Sequence, residues 1–230
     1  MNKIVAIVPA AGCGRRVGTK TNKQFLKLKG VPVSIFTMRR LSEISEIDGI
    51  FPVIRPDEIL LFERKILQFP VGKILGVIPG GPERQDSVFN ALNALRETRP
   101  EIVLIHDGVR PFFELKCVTA CISAAREHGG AAVGLRAVDT IRQGRQGVFG
   151  KTLLRDEIYQ MQTPQAFRFG ELLSAYEEIR KQGLKITDDV QAFEFSGRVT
   201  AIVEGSRYNF KITTLEDMML ARKMINHVEI

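Results

Sequence analysis

The sequence predicts an α/β protein with a mainly parallel sheet. Two observations lead to this fold class. Short apolar runs alternate along the chain with longer segments whose apolar residues recur at helical spacing. At 230 residues, the chain is long enough to bury roughly 70% of the surface of its unfolded form, and it contains neither internal repeats nor a low-complexity linker. We therefore expect a single domain over residues 1–230, with a Rossmann-like sheet and helices on both faces.

The elements follow from these patterns in order. Strands are predicted at 4–8, 49–54, 73–78, 102–105, 131–138 and 199–203. Helices are predicted at 34–44, 57–68, 84–96, 116–128, 169–182, 188–196 and 216–227. The first helix carries Ile35, Met38 and Leu41 on one face. The last has acidic residues at its start and Arg222 and Lys223 near its end, which suits the helix dipole.

Residues 139–160 differ from their surroundings. Segments 139–142 and 146–149 are predicted to pair as a small hairpin around residues 143–145, and 152–160 continues in an extended or mixed pattern. The segment has little apolar face of its own. Such a segment either extends freely into solvent or packs on another subunit. We favour a protruding β-arm that packs on a second subunit, and therefore expect a homodimer.

Composition narrows the classes of function. The net charge of +7 is dispersed, with no run of five Lys or Arg and no Trp, so we expect no nucleic-acid partner and instead small anionic substrates. No apolar run approaches the roughly 20 residues of a membrane span. Three cysteines without a Cys-x-x-Cys spacing are typical of free thiols. We expect a cytoplasmic protein, or a stromal one if a plastid transit peptide has been removed.

Residues 9–24, which follow the first strand, combine glycine with positive charge. Gly12, Gly14 and Gly18 let backbone N–H groups approach a ligand closely, and Arg15, Arg16, Lys20 and Lys23 surround them. This combination predicts a polyphosphate site. The glycine spacing is GxGxxxG, which differs from the dinucleotide fingerprint, and the segment lacks the Gly-Lys-Ser/Thr of a Walker loop.

Three further loops with turn residues beside charge follow predicted strands, at 80–87, 106–111 and 204–214. In an open α/β sheet, the loops at the carboxyl ends of the strands form the ligand crevice. We expect these loops and residues 9–24 to meet at one edge of the sheet.

The motifs in these loops resemble those of the sugar-nucleotide pyrophosphorylases and cytidylyltransferases, and in particular the methylerythritol-phosphate branch. The first is Pro-Ala-Ala-Gly-Cys-Gly-Arg-Arg at 9–16, followed by Lys-Gln-Phe at 23–25. The others lie at 80–88, 106–107, 110–111, 163–165, 186–189, 203–205 and 209–213. The resemblance runs from residue 4 to about 225 and implies a fold of the nucleotide-diphospho-sugar transferase type.

The resemblance implies attack by a sugar-alcohol phosphate on the α-phosphorus of CTP, with Mg²⁺ on the triphosphate and no covalent enzyme intermediate. By motif position, the catalytic residues would be Arg16, Lys23 and Lys211. The nucleotide would be bound by Ala10, Ala11, Gly12, Gly14, Gly81, Ser87 and Asp107, with Arg84 and Asp86 supporting the loop. The sugar phosphate would be bound by Asp107, Arg110, Thr140, Arg155, Thr163, Thr187 and Lys211. Asp107 is also the possible metal ligand, although the CTP phosphates would hold most of the metal.

Plainer interpretations of single residues remain open. Thr163 before Pro164 is also typical of an extended X-Pro turn, and Thr187 of a helix N-cap. Asp107 also suits a turn cap, and His106 is expected to be packed rather than catalytic. A ribitol-phosphate cytidylyltransferase shares the fold and most of the motifs. A non-catalytic nucleotide-binding module is the alternative from another class, but it predicts missing phosphate-binding cations.

The sequence departs from the family pattern at three places. Asn22 stands where proline often precedes Lys23, Val109 lies in a motif that usually reads Ala-Ala-Arg, and Leu215 replaces a common proline. None of these changes removes a charged group. The fit of the substrate near Val109 is the point that they affect most.

Overall fold

The computed structural model describes residues 3–12 and 25–226. Its strands are β1 (Ile4–Pro9), β2 (Lys27–Leu28), β3 (Val31–Pro32), β4 (Gly49–Ile54), β5 (Ile78–Pro79), β6 (Ile102–Ile105), β7 (Gly130–Arg136), β8 (Arg142–Arg145), β9 (Val148–Thr152), β10 (Tyr159–Arg168) and β11 (Ala201–Glu204). Its α-helices are α1 (Val33–Ser42), α2 (Ile59–Gln68), α3 (Arg84–Ala94), α4 (Leu115–His128), α5 (Phe169–Lys181), α6 (Asp189–Phe195) and α7 (Leu215–Met224). None of the helices in these two ranges is long and apolar enough to cross a membrane.

Seven strands form one sheet in the order β11-β7-β10-β6-β1-β4-β5. All neighbouring pairs are parallel except those that involve β10, which runs antiparallel to both β6 and β7. The predicted α/β class is thereby confirmed. The mainly parallel arrangement explains why β1 and β6 consist of continuous apolar residues, since both of their faces are covered.

The two faces of the sheet are covered by different helices. Ile4, Ala6 and Val8 of β1 lie in an apolar cluster with residues of α1, α2 and α4. The alternate residues Val5 and Ile7 lie in a second cluster with residues of α3, α5 and α6. This alternation is the period-two pattern of a strand buried on both sides.

A third apolar cluster joins α7 to the middle of the chain. Met218 and Ala221 of α7 pack with Val109, which follows β6, and with Ile212, whose backbone N–H donates to the Val109 carbonyl at 3.0 Å. The capping box of Thr214 and Asp217 fixes the start of α7. This packing holds the segment before α7 against the loop that follows β6.

The main strand that the sequence pattern missed is β10. The sequence pattern predicts no element over residues 161–168, because Gln162, Thr163 and Gln165 break the apolar alternation and Pro164 disfavours an interior strand. In the structure, the register of β10 against β7 shifts between Met161 and Gln165, and the Thr163–Pro164 peptide is cis. The polar side chains of β10 are tolerated in the interior because other side chains and backbone groups hydrogen-bond to them.

Two other predicted elements differ in the structure. The predicted strand 73–78 is reduced to β5 and a single bridge between Ile74 and Ile50, since Lys73 has φ +62°, outside the extended region. The hairpin of the arm forms, but its turn lies at Gln146–Gly147 rather than at 143–145. Both turn residues have positive φ, as a two-residue hairpin turn requires.

Gly130, at the start of β7, offers a test of the packing. A Cβ atom there would lie 2.8 Å from the Phe193 ring and 2.9 Å from the Phe167 ring, closer than real contacts allow. We expect Gly130→Ala to lower the free energy of unfolding in urea by about 1–3 kcal/mol. The matched control is Gly170→Ala in α5, where no atom lies within 4 Å; it should be neutral or stabilise by up to ~1 kcal/mol. Equal stabilities for the two variants would contradict the described packing.

Candidate active site

A cleft lies where the chain leaves β1, β5 and β6. It is lined by Pro9, Ala10, Ala11, Gly12, Gly81, Pro82, Glu83, Arg84, Ser87, Asp107, Val109 and Lys211. Two glycines allow the loops to meet. A Cβ atom on Gly80 would lie 2.6 Å from the Ala11 Cβ, and one on Gly108 would lie 3.2 Å from the Ala10 Cβ. The sequence therefore brings three separate loops together by the absence of side chains at their contacts.

Asp107, directly after β6, is the acidic centre of the cleft. Lys211 Nζ lies 2.9 Å and Arg110 Nε 3.2 Å from its Oδ2, while Arg84 Nε lies 3.6 Å from its Oδ1. Burial alone would raise the pKa of Asp107, but the positive charges of Lys211, Arg84 and Arg110 lower it well below its usual value. The carboxylate therefore stays ionised and holds three cations at one side of the cleft.

Arg84 connects Asp107 to a second buried carboxylate. Its Nη2 donates to Asp189 Oδ2 at 2.6 Å, and the Tyr176 hydroxyl donates to Asp189 Oδ1 at 2.5 Å. Burial would lower the pKa of Arg84, but Asp189 and Asp107 raise it above its usual value. The first residue of α3 is thus anchored between the cleft and the helices α5 and α6.

A buried polar chain supports Asp107 from behind. The Asp107 backbone N–H donates to Thr163 Oγ1 at 3.0 Å, and Thr163 Oγ1 lies 3.2 Å from His106 Nδ1. His106 Nε2 lies 3.0 Å from the Arg110 carbonyl. A carbonyl only accepts, so Nε2 carries the proton and Nδ1 accepts from the threonine hydroxyl. This arrangement uses a neutral imidazole, and burial lowers the pKa of His106 to about 4.

Asn209 links the loop before α7 to the same set of hydrogen-bonded residues. Its side-chain Nδ2 donates to the Thr163 backbone carbonyl at 2.7 Å, and its backbone carbonyl accepts from Arg110 Nη1 at 2.7 Å. Lys211 follows two residues later and is 36% exposed to the cleft side. The position of the lysine is therefore set by groups that belong to β10 and to the loop after β6.

The loop before α3 is held by its own side chains. Ser87 Oγ accepts from the Gly81 backbone N–H at 3.1 Å and donates to the Glu83 carbonyl at 3.2 Å. Asp86 accepts from the Glu83 backbone N–H at 3.1 Å and pairs with Arg180 at 3.1 Å. A Cβ atom on Gly81 would lie 2.3 Å from the Asp86 Cβ, so glycine is required there.

Most of the predicted site residues within the described ranges meet in this region. Ala10, Ala11, Gly12, Gly81, Ser87, Asp107 and Lys211 line the cleft, and Arg84 lines it beside them. Arg110 and Thr163 are buried directly behind Asp107. Gly14, Arg16 and Lys23 lie outside the described residues.

Three of the predicted site residues in the described ranges neither line the cleft nor bond to Asp107. Thr140 is exposed on the arm, and Arg155 is exposed at its base, where Nη1 donates to the Val138 carbonyl at 3.0 Å. Thr187 is exposed and bonds to Gln191. The cap of α6 is Asp188, whose side chain accepts from the Gln191 backbone N–H, so the alternative reading of Thr187 as the N-cap is wrong. Asp188 occupies the N-cap position instead, and aspartate is preferred over threonine at helix N-caps.

Sequence reasoning assigned no role to Asp189, Tyr176 or Asn209, although Asp189 and Asn209 lie within the matched motifs. Asp189 and Asn209 are 0% and 2% exposed. Each is hydrogen-bonded to an arginine that pairs with Asp107, Asp189 to Arg84 and Asn209 to Arg110. The available signal was an aspartate at the buried start of a short helix, since an ionised side chain in such a position needs a partner. The partner itself is 105 residues away in the chain.

The side chains of the cleft indicate which kind of metal site it could form. Within residues 3–12 and 25–226, no group of three or more His, Cys, Asp or Glu residues is placed to hold one. Asp107 is the carboxylate that lines the cleft next to Lys211, and its Oδ1 has a cation at 3.6 Å, beyond hydrogen-bonding distance. This set suits Mg²⁺ carried by substrate phosphates, which needs one or two protein carboxylates, rather than a metal held by the protein alone.

Comparisons with known proteins match the chain to a family. The model of the 2-C-methyl-D-erythritol 4-phosphate cytidylyltransferase family (IspD) matches residues 4–227. The chain belongs to this family. A relative of that name from Geobacter metallireducens is 40% identical over 225 residues, which are 96% of this chain and 97% of the relative. Another from Clostridium novyi is 37% identical over 231 residues, 100% of this chain and 99% of the relative.

Solved structures agree. The crystal structure of 4-diphosphocytidyl-2C-methyl-D-erythritol synthase from Anaerococcus prevotii is 32% identical and superimposes with a TM-score of 0.85, over 98% of this chain and 96% of that one. The family membership predicted from the motifs is confirmed. Val109, where the sequence departs from the family pattern, packs in the apolar cluster with Ile212 and also lines the cleft.

The buried, neutral imidazole of His106 predicts that the stability of the protein depends on pH. The pKa of His106 falls from 6.5 to about 4 on folding, so between these values the unfolded chain binds a proton that the folded protein does not. Stability should therefore rise from pH 4 to 6.5, by about 3 kcal/mol from this residue, and level off above. Urea unfolding of His106→Gln should show a pH profile flatter by this amount.

The control for that profile is His128→Gln, which removes a half-exposed imidazole at the end of α4. Because His106 is retained, the rise in stability between pH 4 and 6.5 should persist in this variant. If the His106→Gln profile also ran parallel to the wild type, the buried neutral imidazole would be refuted.

Proposed function

We propose that the protein transfers the cytidylyl group of CTP to 2-C-methyl-D-erythritol 4-phosphate, giving 4-diphosphocytidyl-2-C-methyl-D-erythritol and pyrophosphate. The observation that carries the proposal is the cleft in which Lys211, Arg84 and Arg110 surround Asp107 beside the glycine-rich end of β1. Membership of the cytidylyltransferase family supports the same chemistry. The enzyme is a nucleotidyltransferase of isoprenoid biosynthesis.

The reaction is limited by charge. The two substrates bring roughly six negative charges, and each like-charge pair at about 4 Å and an effective dielectric near 20 opposes approach by ~4 kcal/mol. An oxygen of the sugar phosphate attacks the α-phosphorus, the bond from the α-phosphorus to its bridging oxygen breaks, and pyrophosphate leaves with that electron pair. The attacking oxygen is already ionised, so no general base is required. Neutralising charge and aligning the two phosphates is the main task of the protein.

Lys211 suits the role of neutralising the attacking phosphate. It is a partly exposed cation in the cleft, and its pairing with Asp107 at 2.9 Å restricts where its ammonium group lies. Arg110 is buried behind Asp107, where it fixes the carboxylate rather than facing the open cleft. We assign Arg16 and Lys23 to the triphosphate on the strength of their motif positions alone.

The nucleotide base and ribose suit the backbone-rich side of the cleft. Ala10, Ala11 and Gly12 follow β1, and Gly81 and Ser87 face them across the loop contact that Gly80 permits. Peptide groups and one hydroxyl in fixed positions are suited to reading the edge of a pyrimidine. Gly14 is assigned to the same role by its position in the motif.

Mg²⁺ would enter on the CTP phosphates, with Asp107 as the protein carboxylate nearest to them. When bound there, the ion would supply positive charge to the triphosphate and so favour the departure of pyrophosphate. The residues of the chain position Asp107 for this through the same contacts that hold Lys211.

We also propose that residues 139–160 form a dimerisation arm. Strands β8 and β9 are exposed along their whole length, and Val148 and Phe149 are 69% and 80% exposed. Apolar side chains this exposed at the tip of a hairpin favour a partner surface. Thr140 and Arg155 would then serve the sugar-phosphate pocket of the partner rather than the cleft of their own chain.

A cytoplasmic location is supported by two free cysteines, Cys117 and Cys121, buried side by side in α4. Burial raises the pKa of both thiols, which keeps them unreactive.

The direct test of the function is pyrophosphate release from CTP and Mg²⁺ with methylerythritol phosphate, with ribitol 5-phosphate, or with neither. We expect release with methylerythritol phosphate alone. Release with ribitol phosphate alone would leave the chemistry in place but assign the other substrate. No release with either would refute catalysis and favour the non-catalytic nucleotide-binding module.

Lys211→Met tests the role of the cleft lysine. Removing the cation that neutralises the attacking phosphate should lower the single-turnover rate by roughly 10²–10³. Lys116→Met is the matched control: Lys116 is 82% exposed and pairs with Glu114 at 2.7 Å, and neither residue lines the cleft, so its rate should stay within about twofold of the wild type. A normal rate in Lys211→Met would remove that residue from the mechanism.

Phe149→Asp tests the arm. Placing a charge at an apolar tip that is buried in a dimer should give a monomer in sedimentation at micromolar concentration. Leu67→Asp, at an 82% exposed position in α2, should leave the oligomeric state unchanged. A wild-type protein that is already monomeric would contradict the arm's assignment.

A further inference from the structure

A second pocket lies beside α1, apart from the catalytic cleft. It has a volume of about 310 Å³ and lies between α1, the turn that joins β2 to β3, and Ile225 at the end of α7. It shares no lining residue with the catalytic cleft. Its size falls at the lower end of small-molecule sites, which are about 300–1,000 Å³.

The walls of this pocket divide into an apolar and a basic part. Val31, Phe36 and Ile225 form the apolar part. Lys29 from the turn, with Arg39 and Arg40 from α1, forms the basic part, and Glu43 is the one acidic lining residue. The formal charge of the lining side chains is therefore three positive minus one negative, or +2.

Arg40 is the unusual member of the set. It is only 8% exposed, and its Nε is buried without a hydrogen-bond partner. Among the described residues, no carboxylate lies within salt-bridge distance of it, and its guanidinium instead lies 5.1 Å from the centre of the Phe113 ring. Burial lowers the pKa of Arg40, and Glu43 offsets this only in part. A buried guanidinium normally has an acceptor, because leaving it unpaired costs free energy.

Arg39 is oriented differently from Arg40. Its Nε donates to the Pro70 carbonyl at 3.0 Å, and its guanidinium lies 6.0 Å from the centre of the Phe69 ring. Lys29 is exposed in the turn, with φ +46°. The pocket thus presents one cation held by the fold, one exposed cation, and one buried cation whose Nε has no acceptor.

We propose that this pocket binds an organic phosphate monoester with a short apolar group. The phosphate would accept from Arg40 and Lys29, since guanidinium and ammonium groups are the usual donors to phosphate. The apolar group would contact Val31, Phe36 and Ile225. A ligand of this class supplies an anion to the positively charged part of the wall and an apolar surface that matches the rest of it.

The pocket is connected to the active site through α1. Thr37, one turn before Arg40, donates from its hydroxyl to the Gly108 carbonyl at 3.0 Å, and Gly108 follows Asp107. On the other side, Phe113 lies between Arg40 and His106, with its ring centre 4.5 Å from that of the imidazole. The pocket wall and the residues next to Asp107 are therefore linked by direct contacts through Thr37 and Phe113.

The chain contains no tryptophan, which allows a local probe. Phe36→Trp places the sole indole of the protein on the wall of the pocket. We would titrate this variant with n-butyl phosphate while saturating CTP and Mg²⁺ occupy the catalytic cleft. The fluorescence should change saturably, and n-butanol and n-butylamine, which lack the anion, should give no such change.

Two further variants locate the binding. Lys29→Glu in the same background should raise the apparent Kd for n-butyl phosphate about tenfold, since it reverses one charge at the phosphate. Lys211→Met should leave that Kd unchanged, because Lys211 lines the other cleft. Calorimetry of the wild-type protein with CTP present gives the same Kd without relying on the tryptophan variant.

Absence of both a heat signal and a fluorescence change up to ~10 mM n-butyl phosphate would overturn the proposal. So would binding that Lys211→Met abolishes and Lys29→Glu leaves intact, because the ligand would then lie in the catalytic cleft.

Discussion

The carboxylate of Asp107 faces three cations that come from distant parts of the chain. Arg84 begins α3, Arg110 lies in the loop after β6, and Lys211 precedes α7. A buried carboxylate with such partners contributes little net stability by itself, yet losing it would leave Lys211 and Arg110 without the carboxylate that pairs with them. The geometry of the cleft therefore depends on all four groups being present, and this constraint fixes where a reactive lysine can lie relative to the glycine-rich end of β1.

The antiparallel strand β10 makes this arrangement possible. Its polar residues Gln162, Thr163 and Gln165 are buried, and each bonds to a loop of the active site or to the start of α6. An apolar strand in the same place would complete the sheet but offer no acceptor to the Asp107 N–H. The cost of burying polar side chains is offset by hydrogen bonds that position the catalytic loops.

Sequence reasoning succeeded where the signal is local. Strands β1, β4 and β6 are continuous apolar runs, and the rule that loops gather at the carboxyl ends of strands placed Gly81, Asp107 and Lys211 together. It failed where the cause is distant. The polar residues of β10 fit into a buried strand because distant side chains such as Asn209 bond to them. Asp189 anchors the cleft only because Arg84, far away in the chain, pairs with it. The turn of the arm was misplaced because positive φ at Gln146 has no composition signal.

The central claim is that Asp107 and Lys211 act as one unit in the transfer of the cytidylyl group. Single-turnover rates of Asp107→Asn, Lys211→Met and the double variant, with CTP and methylerythritol phosphate, test it most directly. If Asp107 works by holding Lys211, the double variant should be slower than the slower single variant by no more than about threefold. Losses that multiply in the double variant would show independent roles and contradict the account.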